Sequence, residues 1–181
     1  MPSDAPKIKI WKTQEYGAEV IFYERDEDNR EEIGFSIAKE EGRKLIKPFD
    51  DLNVIYGQGT AALEVMDEVD TKFDMSVVCC SGGGLAAGTG IVLKNSLSDC
   101  QLYTAEPKDW NDHEKSFLQN NIVSIKTKKH GMCDALENPQ PGEITFRINS
   151  ALNTKGLSAN DKYIIEAVSY THLRAHETLG N

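Results

Sequence analysis

The sequence predicts an α/β fold in which parallel strands alternate with helices. Apolar runs of strand length alternate with segments of helix length along most of the chain. A glycine-rich turn, SGGG at residues 81–84, joins a strand-like run to a helix-like one, which is typical of parallel α/β units. The pattern divides into two parts that meet near Asp50.

The first part reads as two helices and two strands. Asp4 is a candidate cap for the first helix, and Gly17 and Gly42 end the two helices. The short links between these elements favour a parallel arrangement. In order, the predicted elements are a helix at 6–16, a strand at 18–23, a helix at 30–41 and a strand at 44–49.

The second part continues the alternation. Asn53 is expected to cap its first helix, and Ser158 or Asn160 its last. Gly57 and Gly59 weaken that first helix, so we expect another backbone to approach closely there. The predicted elements are a helix at 54–69, a buried strand at 75–80, a helix at 85–96, a strand at 101–106, a loop entering a strand at 137–146 and a helix at 158–168.

Composition limits the function classes. The chain has 181 residues, with 20 basic and 29 acidic side chains and a net charge of −9, which argues against a nucleic-acid partner. No apolar run reaches the ~18 residues of a membrane span, and the N-terminus lacks the apolar region of a signal peptide. The four cysteines show no CxxC spacing and predict reduced, mostly buried thiols in a cytoplasmic protein.

The glycine-rich turn is the main candidate binding site. Backbone N–H groups and a helix N-terminus converge there, and Ser81 adds a hydroxyl donor, so the loop suits a phosphate. A nicotinamide dinucleotide is one candidate, which would make the chain a fragment of an oxidoreductase with Glu106 as the ribose-binding acid. The phosphate of pyridoxal 5′-phosphate is a second, and a non-catalytic anion-binding domain or a ligand-free turn are further alternatives.

Seven stretches give the chain a specific resemblance. They occur in order over residues 1–168, and each alone would be weak. The stretches are MPSDAPKIK (1–9), YGAEV (16–20), PFDD (48–51), VIYGQGTAALEV (54–65), SGGGLAAG (81–88), AEP (105–107) and PGEITF (141–146). The ordered set resembles the serine/threonine dehydratase and serine racemase family, which has the tryptophan-synthase-β fold, fold type II of the pyridoxal-phosphate enzymes.

The resemblance implies how the chain is organised and where the cofactor binds. Residues 1–49 would form part of the small mobile domain and residues 50–168 part of the large cofactor domain, both incomplete. The family's glycine loop binds the cofactor phosphate. That role falls here on Ser81, Gly82, Gly83, Gly84 and Leu85.

The resemblance also implies a divalent cation beside the glycine loop. Related enzymes bind Mg²⁺ or Ca²⁺ through a Glu before Pro, a backbone carbonyl and an Asp. The corresponding residues are Glu106, Trp110 through its carbonyl, and Asp112. Oxygen ligands of this kind suit such ions. The alternative is a pair of surface carboxylates without a metal.

The implied activity is that of an ammonia-lyase. It would convert L-serine, L-threonine or 3-hydroxyaspartate to a 2-oxo acid and ammonia by β-elimination, and serine racemisation would use the same carbanion. The catalytic lysine, which forms a Schiff base with the cofactor in a Ser-x-Lys context, is absent from this chain. We therefore expect a fragment of a homodimeric enzyme, inactive alone, that lacks the N-terminal lysine segment and the C-terminus.

The last residues differ in character from the rest. Residues 169–181 resemble a translated adaptor string that recurs on unrelated proteins, and we exclude them from the fold prediction as an artefactual tail. His172 and His176 lie four residues apart in it. On a helix they could share a face as metal ligands, but no third ligand lies nearby.

Overall fold

A computed structural model describes residues 1–25, 27–127 and 130–174 of the chain. The fold is a mixed α/β arrangement with a parallel sheet. Two one-turn 3₁₀ helices, Lys108–Trp110 and Asp134–Leu136, supplement the main elements. In chain order these are α1 (Lys7–Glu15), α2 (Arg30–Glu40), α3 (Leu52–Glu68), β1 (Met75–Cys79), α4 (Gly84–Ser96), β2 (Gln101–Pro107), α5 (Asp112–Gln119), α6 (Glu143–Ala151), β3 (Lys155–Ala159) and α7 (Asp161–Arg174).

The chain forms two compact units, Met1–Ile46 and Lys47–Asn181. The first unit contains α1 and α2, and none of its described residues is buried. Asn29 caps α2, because its side-chain oxygen accepts hydrogen bonds from the N–H groups of Glu31 and Glu32. No such side-chain cap begins α1: Asp4, the predicted cap, instead pairs with Arg25.

The two strands predicted in the first part are wrong. Residues 18–23 contribute only an isolated bridge from Tyr23 to Pro2, and residues 44–49 lie outside every strand. An apolar run becomes a strand only when a neighbour supplies hydrogen-bond partners. Met1 and Ser3 supply such partners only to Ile21 and Tyr23, which makes one bridge and not a strand.

The sheet lies in the second unit. β2 is central and pairs in parallel with β1 and β3, with Met75 opposite Gln101 and Tyr103 opposite Lys155. β1 was expected to be buried, but Met75 and Val77 are 57% and 53% exposed. The reason is that β1 is an edge strand of the described sheet, and its outward face has no described element packed on it.

Helix α4 forms the centre of the core. It packs against α3 and also contacts the sheet. The close approach to α3 occurs at Gly59 and Gly88: a Cβ on Gly88 would overlap the carbonyl oxygen of Ile55 and lie 2.6 Å from the nitrogen of Gly59. The close-approach prediction is therefore confirmed for Gly59 and wrong for Gly57, which faces open space. The buried hydrophobic residues are Ile55, Ala62, Cys80, Ala86, Ala87, Val92, Leu93, Leu102 and Trp110.

The chain after β2 departs most from the prediction. The strand expected near residues 137–146 is instead helix α6, and both α5 and β3 were missed. Helix α6 forms because a side chain distant in sequence satisfies its first N–H groups: Asp50 Oδ1 accepts hydrogen bonds from Ile144 (2.8 Å) and Thr145 (3.3 Å). Ser158 lies in β3, and Asn160 caps α7 by accepting from the N–H of Tyr163.

Three smaller expectations concern the cap of α3, the cysteines and the possibility of a membrane-spanning helix. Asp51, not Asn53, caps α3, through hydrogen bonds from the N–H groups of Asn53 and Val54. All four cysteines are free, but only Cys80 is buried, so the expectation of mostly buried thiols is wrong. Within the described part of the chain, no helix combines the length and apolar character needed to cross a membrane.

The predicted tail, residues 169–181, lies partly outside the residues that the structure describes. Helix α7 continues to Arg174, so the first residues of 169–181 extend a helix. Residues 175–181, which include His176 of the proposed histidine pair, lie outside the described residues. The origin of this segment stays a prediction.

Candidate functional site

The glycine loop lies where β1 ends and α4 begins, as predicted. Cys80 and Ser81 follow the strand, and the helix starts at Gly84. Gly83 is its N-cap and has φ +92°, a left-handed conformation that side chains other than glycine rarely adopt. Ser81 and Leu85 are half-buried, whereas the three glycines between them are buried.

Each of the three glycines is required by close neighbours. A Cβ on Gly82 would overlap the ring of Phe49, and one on Gly84 would lie 3.2 Å from the Phe49 backbone. A Cβ on Gly83 would lie 2.5 Å from His113 Nε2 and 3.0 Å from Thr145 Oγ1. The loop is thus a bare backbone pressed between Phe49, His113 and α6.

Helix α6 holds the carbonyl groups of the loop. The Thr145 hydroxyl donates to the Gly82 carbonyl at 2.6 Å, and the Asn149 amide donates to the Gly83 carbonyl at 3.3 Å. The N–H of Gly142 also donates to Gly82, at 3.2 Å. With the carbonyls fixed in this way, the backbone presents N–H groups at the start of α4, which have no acceptors within the helix. This donor set fits a phosphate.

A second cluster lies at the end of the neighbouring strand β2. Glu106 is buried and caps α5 from a distance: its two carboxylate oxygens accept hydrogen bonds from the N–H groups of His113 and Glu114, both at 2.9 Å. One ligand atom from each of Glu106, Asp112 and His113 lies within 4.8 Å of the others. The structure therefore brings together the two predicted metal-binding carboxylates.

The surface-carboxylate alternative is contradicted by burial. Glu106 is 3% exposed and Asp112 is fully buried. Trp110 is buried in the turn before Asp112, and the role of its carbonyl as a ligand stays a prediction. The sequence analysis assigned no role to His113, which the structure adds to the cluster. No sequence pattern indicates it, because a lone histidine directly after an aspartate has none of the usual spacings of metal ligands.

Burial controls the electrostatics of the cluster. Loss of water raises the pKa of Asp112 to about 6 from its ordinary 3.8; His113 opposes this shift and Glu106 adds to it. Burial lowers the pKa of His113, but the neighbouring Asp112, Cys80 and Glu106 outweigh burial and hold the pKa well above its ordinary value. Burial also raises the pKa of the Cys80 thiol.

The glycine loop and the cluster meet at His113. Its Nε2 lies beneath Gly83, while its Nδ1 lies 3.3 Å from Asp112 Oδ2 and 3.4 Å from Glu106 Oε1. One imidazole therefore contacts both candidate sites. The arrangement combines a backbone anion site with a buried group of one nitrogen and four carboxylate oxygens.

Comparison with known proteins points to one family. Residues 1–174 match the family described as pyridoxal-phosphate dependent enzyme. The chain is 36% identical over 170 residues to a serine racemase of Schizosaccharomyces pombe and, equally, to an L-threo-3-hydroxyaspartate ammonia-lyase of Saccharomyces cerevisiae; each match covers 94% of the chain and 52% of the relative. A solved serine racemase from maize superposes with a TM-score of 0.86 at 27% identity, over 96% of the chain and 52% of its own length. The chain thus spans about half the length of these relatives.

Proposed function

Because this chain belongs to the family of pyridoxal-phosphate dependent enzymes, we propose that it is part of an ammonia-lyase for L-serine, L-threonine or 3-hydroxyaspartate, or of the related serine racemase. The observation that carries the proposal is the glycine loop, whose carbonyls α6 fixes and whose first N–H groups in α4 have no acceptor within the helix. Relatives that are 36% identical carry the two activity names. The family match does not favour the dinucleotide alternative.

In this proposal the loop from Ser81 to Leu85 holds the cofactor phosphate. The N-terminus of α4 carries partial positive charge, which favours an anion there. The absence of Cβ atoms lets Phe49, His113 and Thr145 pack directly against the loop and fix its conformation. The cofactor, when bound, supplies an electron sink for the carbanion that forms when the α-proton leaves. Residues of this chain hold and orient the cofactor, whereas none of the lysines here stands in the family's catalytic context.

Glu106, Asp112 and the Trp110 carbonyl are proposed to bind a divalent cation such as Mg²⁺ or Ca²⁺. The support is that both carboxylates are buried and close together beside the glycine loop. A cation there would neutralise carboxylates that burial otherwise disfavours. It would also stiffen the start of α5, because Glu106 accepts hydrogen bonds from the N–H groups of His113 and Glu114 there.

The domain organisation, location, assembly and partners of the whole enzyme are also part of the proposal. Residues 1–49 would belong to a small mobile domain and residues 50–168 to a large cofactor domain, in line with the two compact units. The whole enzyme would act in the cytoplasm as a homodimer, without nucleic-acid partners. The four free thiols support the cytoplasmic location, and the charge of −9 supports the absence of nucleic-acid partners.

Cofactor binding by the full chain tests the proposal. Fluorescence titration should show pyridoxal phosphate binding more tightly than pyridoxal, which lacks the phosphate. Gly83→Ala should weaken pyridoxal phosphate about tenfold or more, because strain in the left-handed conformation is on the order of 1–3 kcal/mol. Gly57→Ala, at a glycine with open space, is the matched control.

Two results would contradict the proposal. Equal affinity for pyridoxal and pyridoxal phosphate would show that the loop does not hold the phosphate. Binding of a reduced nicotinamide dinucleotide without pyridoxal phosphate would favour the dinucleotide alternative. The substrate is then identified with the whole enzyme, by measuring 2-oxo acid release from serine, threonine and 3-hydroxyaspartate in parallel.

A further inference from the structure

The buried cluster at the end of β2 contains polar atoms that lack hydrogen bonds. Neither carboxylate oxygen of Asp112 and neither ring nitrogen of His113 has a hydrogen-bond partner in the part of the chain that the structure describes. Both side chains are almost completely buried. A buried polar group without a hydrogen bond destabilises the folded chain, and more strongly when it is charged. Several such atoms in one cluster therefore indicate a site for a ligand.

The spacing of these atoms fits one small cation. His113 Nδ1 lies 3.3 Å from Asp112 Oδ2 and 3.4 Å from Glu106 Oε1. Two ligands at about 2.1 Å from a tetrahedral ion lie roughly 3.4 Å apart, as simple geometry requires. Glu106 Oε1 already accepts one hydrogen bond, from the N–H of His113, and keeps a second lone pair for an ion.

We propose that His113 Nδ1 is a metal ligand together with Glu106 and Asp112, and that the site therefore prefers a first-row transition ion such as Co²⁺ or Zn²⁺ to Mg²⁺ or Ca²⁺. This inference rests on the metal role of the two carboxylates proposed above. It changes the expected ion because imidazole nitrogen suits Zn²⁺, Ni²⁺ and Cu²⁺, whereas Mg²⁺ and Ca²⁺ select oxygen ligands.

Packing fixes the orientation of the imidazole. Its Nε2 makes no hydrogen bond within the described part of the chain. Here Nε2 lies directly beneath Gly83, where any Cβ would be only 2.5 Å away. The ring is therefore held between the glycine loop and the two carboxylates, with Nδ1 directed at the carboxylate oxygens.

A buried ion pair is the competing explanation. A protonated His113 beside an ionised Asp112 would also place the two groups at this distance, without a metal. The two explanations differ in what they predict on adding cations. The metal site binds a transition ion tightly and with a nitrogen ligand, whereas the ion pair binds none.

Titration with Co²⁺ distinguishes them. The full chain, stripped with chelator and free of pyridoxal phosphate, is titrated with Co²⁺ while its visible absorption is followed. Binding of Zn²⁺, Mg²⁺ and Ca²⁺ is measured by calorimetry. We expect Co²⁺ and Zn²⁺ to bind at least about 100-fold more tightly than Mg²⁺, with His113→Asn reducing Co²⁺ affinity about 10- to 100-fold or more. His172→Asn, on the exposed part of α7, is the matched control and should change nothing.

A measurement on the unaltered chain covers the case in which the variant fails to fold. On adding Zn²⁺, the ¹⁵N resonance of His113 Nδ1 should shift while those of His130 and His172 stay in place. Tighter binding of Mg²⁺, no binding of any ion, or Co²⁺ binding that His113→Asn leaves unchanged would each overturn the proposal. Pyridoxal phosphate affinity is measured separately without metal, so failure of the cofactor proposal is distinguished from failure of this one.

Discussion

The two candidate sites end neighbouring parallel strands and are built in opposite ways. The glycine loop after β1 has no side chains at its centre, and its carbonyls are bound by α6. The cluster after β2 concentrates side chains, and four polar atoms of Asp112 and His113 make no hydrogen bond to a described residue. The first site suits an anion because the first N–H groups of α4 have no acceptor within the helix. The second suits a cation because two carboxylates are buried close together.

This difference predicts how each site responds to substitution. The glycine loop should fail when any atom is added, because its neighbours already occupy the space. The cluster should tolerate changes of similar shape but respond to charge, pH and metal. Substitutions at Gly88, Thr145 and Asp112 test this contrast.

Gly88→Ala should cause the largest loss of stability. The added Cβ would overlap the Ile55 carbonyl and meet the Gly59 backbone, which can move only if α3 and α4 separate. We expect the free energy of unfolding to fall by about 2–4 kcal/mol, as in strongly overpacked cores. Urea denaturation measures it. Gly57→Ala in α3 has open space and should be neutral or stabilise by up to about 1 kcal/mol; equal losses in both variants would contradict the close packing.

Thr145→Val should have an intermediate effect. The substitution keeps the shape but removes the hydroxyl that donates to the Gly82 carbonyl at 2.6 Å. Leaving this buried carbonyl with fewer donors should cost about 1–3 kcal/mol of unfolding free energy and weaken pyridoxal phosphate binding. Thr145→Ser, which retains the hydroxyl, should restore most of both. If valine binds the cofactor as well as threonine does, α6 does not hold the loop.

Asp112→Asn should have the smallest effect of the three substitutions on the free energy of unfolding, and this effect should depend on pH. As pH rises, the variant should gain stability relative to the unaltered chain. The pKa of Asp112 is raised to about 6, mainly by burial, so the folded state binds a proton that the unfolded state has already lost above about pH 4. Ionisation between pH 4 and 6 therefore costs stability in the unaltered chain and none in the variant. The pKa of His113 is also raised. The stability of the unaltered chain should therefore fall further as pH rises above the ordinary pKa of histidine.

Unfolding curves of the unaltered chain and Asp112→Asn, recorded in chelator at several pH values, provide the measurement. The stability of the variant relative to the unaltered chain should increase from pH 4 to pH 7. Added Zn²⁺ should reverse this trend in the unaltered chain alone, since metal binding requires deprotonated ligands. A difference that does not vary with pH would contradict the electrostatic account.

Much of the fold was predictable because its signals are local. Helices α1 to α4 and strands β1 and β2 follow from the apolar pattern and from the glycines that end segments, whereas the caps predicted for α1 and α3 were wrong. The failures share a different cause. Residues 18–23 have a strand composition, but their described partner at residues 1–3 makes only one bridge. Helix α6 depends on a cap from Asp50, which no local pattern reveals.

The residues of the candidate site show the same contrast between local sequence signals and contacts that form only in the folded chain. The glycine loop is visible as a run of residues with one physical purpose, and Glu106 and Asp112 were assigned through family resemblance. His113 was missed because a single histidine carries no pattern of its own. Its significance lies in packing beneath Gly83 and against two carboxylates, which is a property of the folded chain.

The remote cap on α6 has a consequence for the order of folding. Asp50 and Ile144 are 94 residues apart, and the pairing of β2 with β3 also joins distant segments. Such contacts require closure of long loops, which slows their formation relative to local helices. We therefore expect α6 to dock late, after α3, α4 and β1 have assembled. Since α6 fixes the carbonyls of Gly82 and Gly83, the ability to bind phosphate should be acquired only at the last stage of folding.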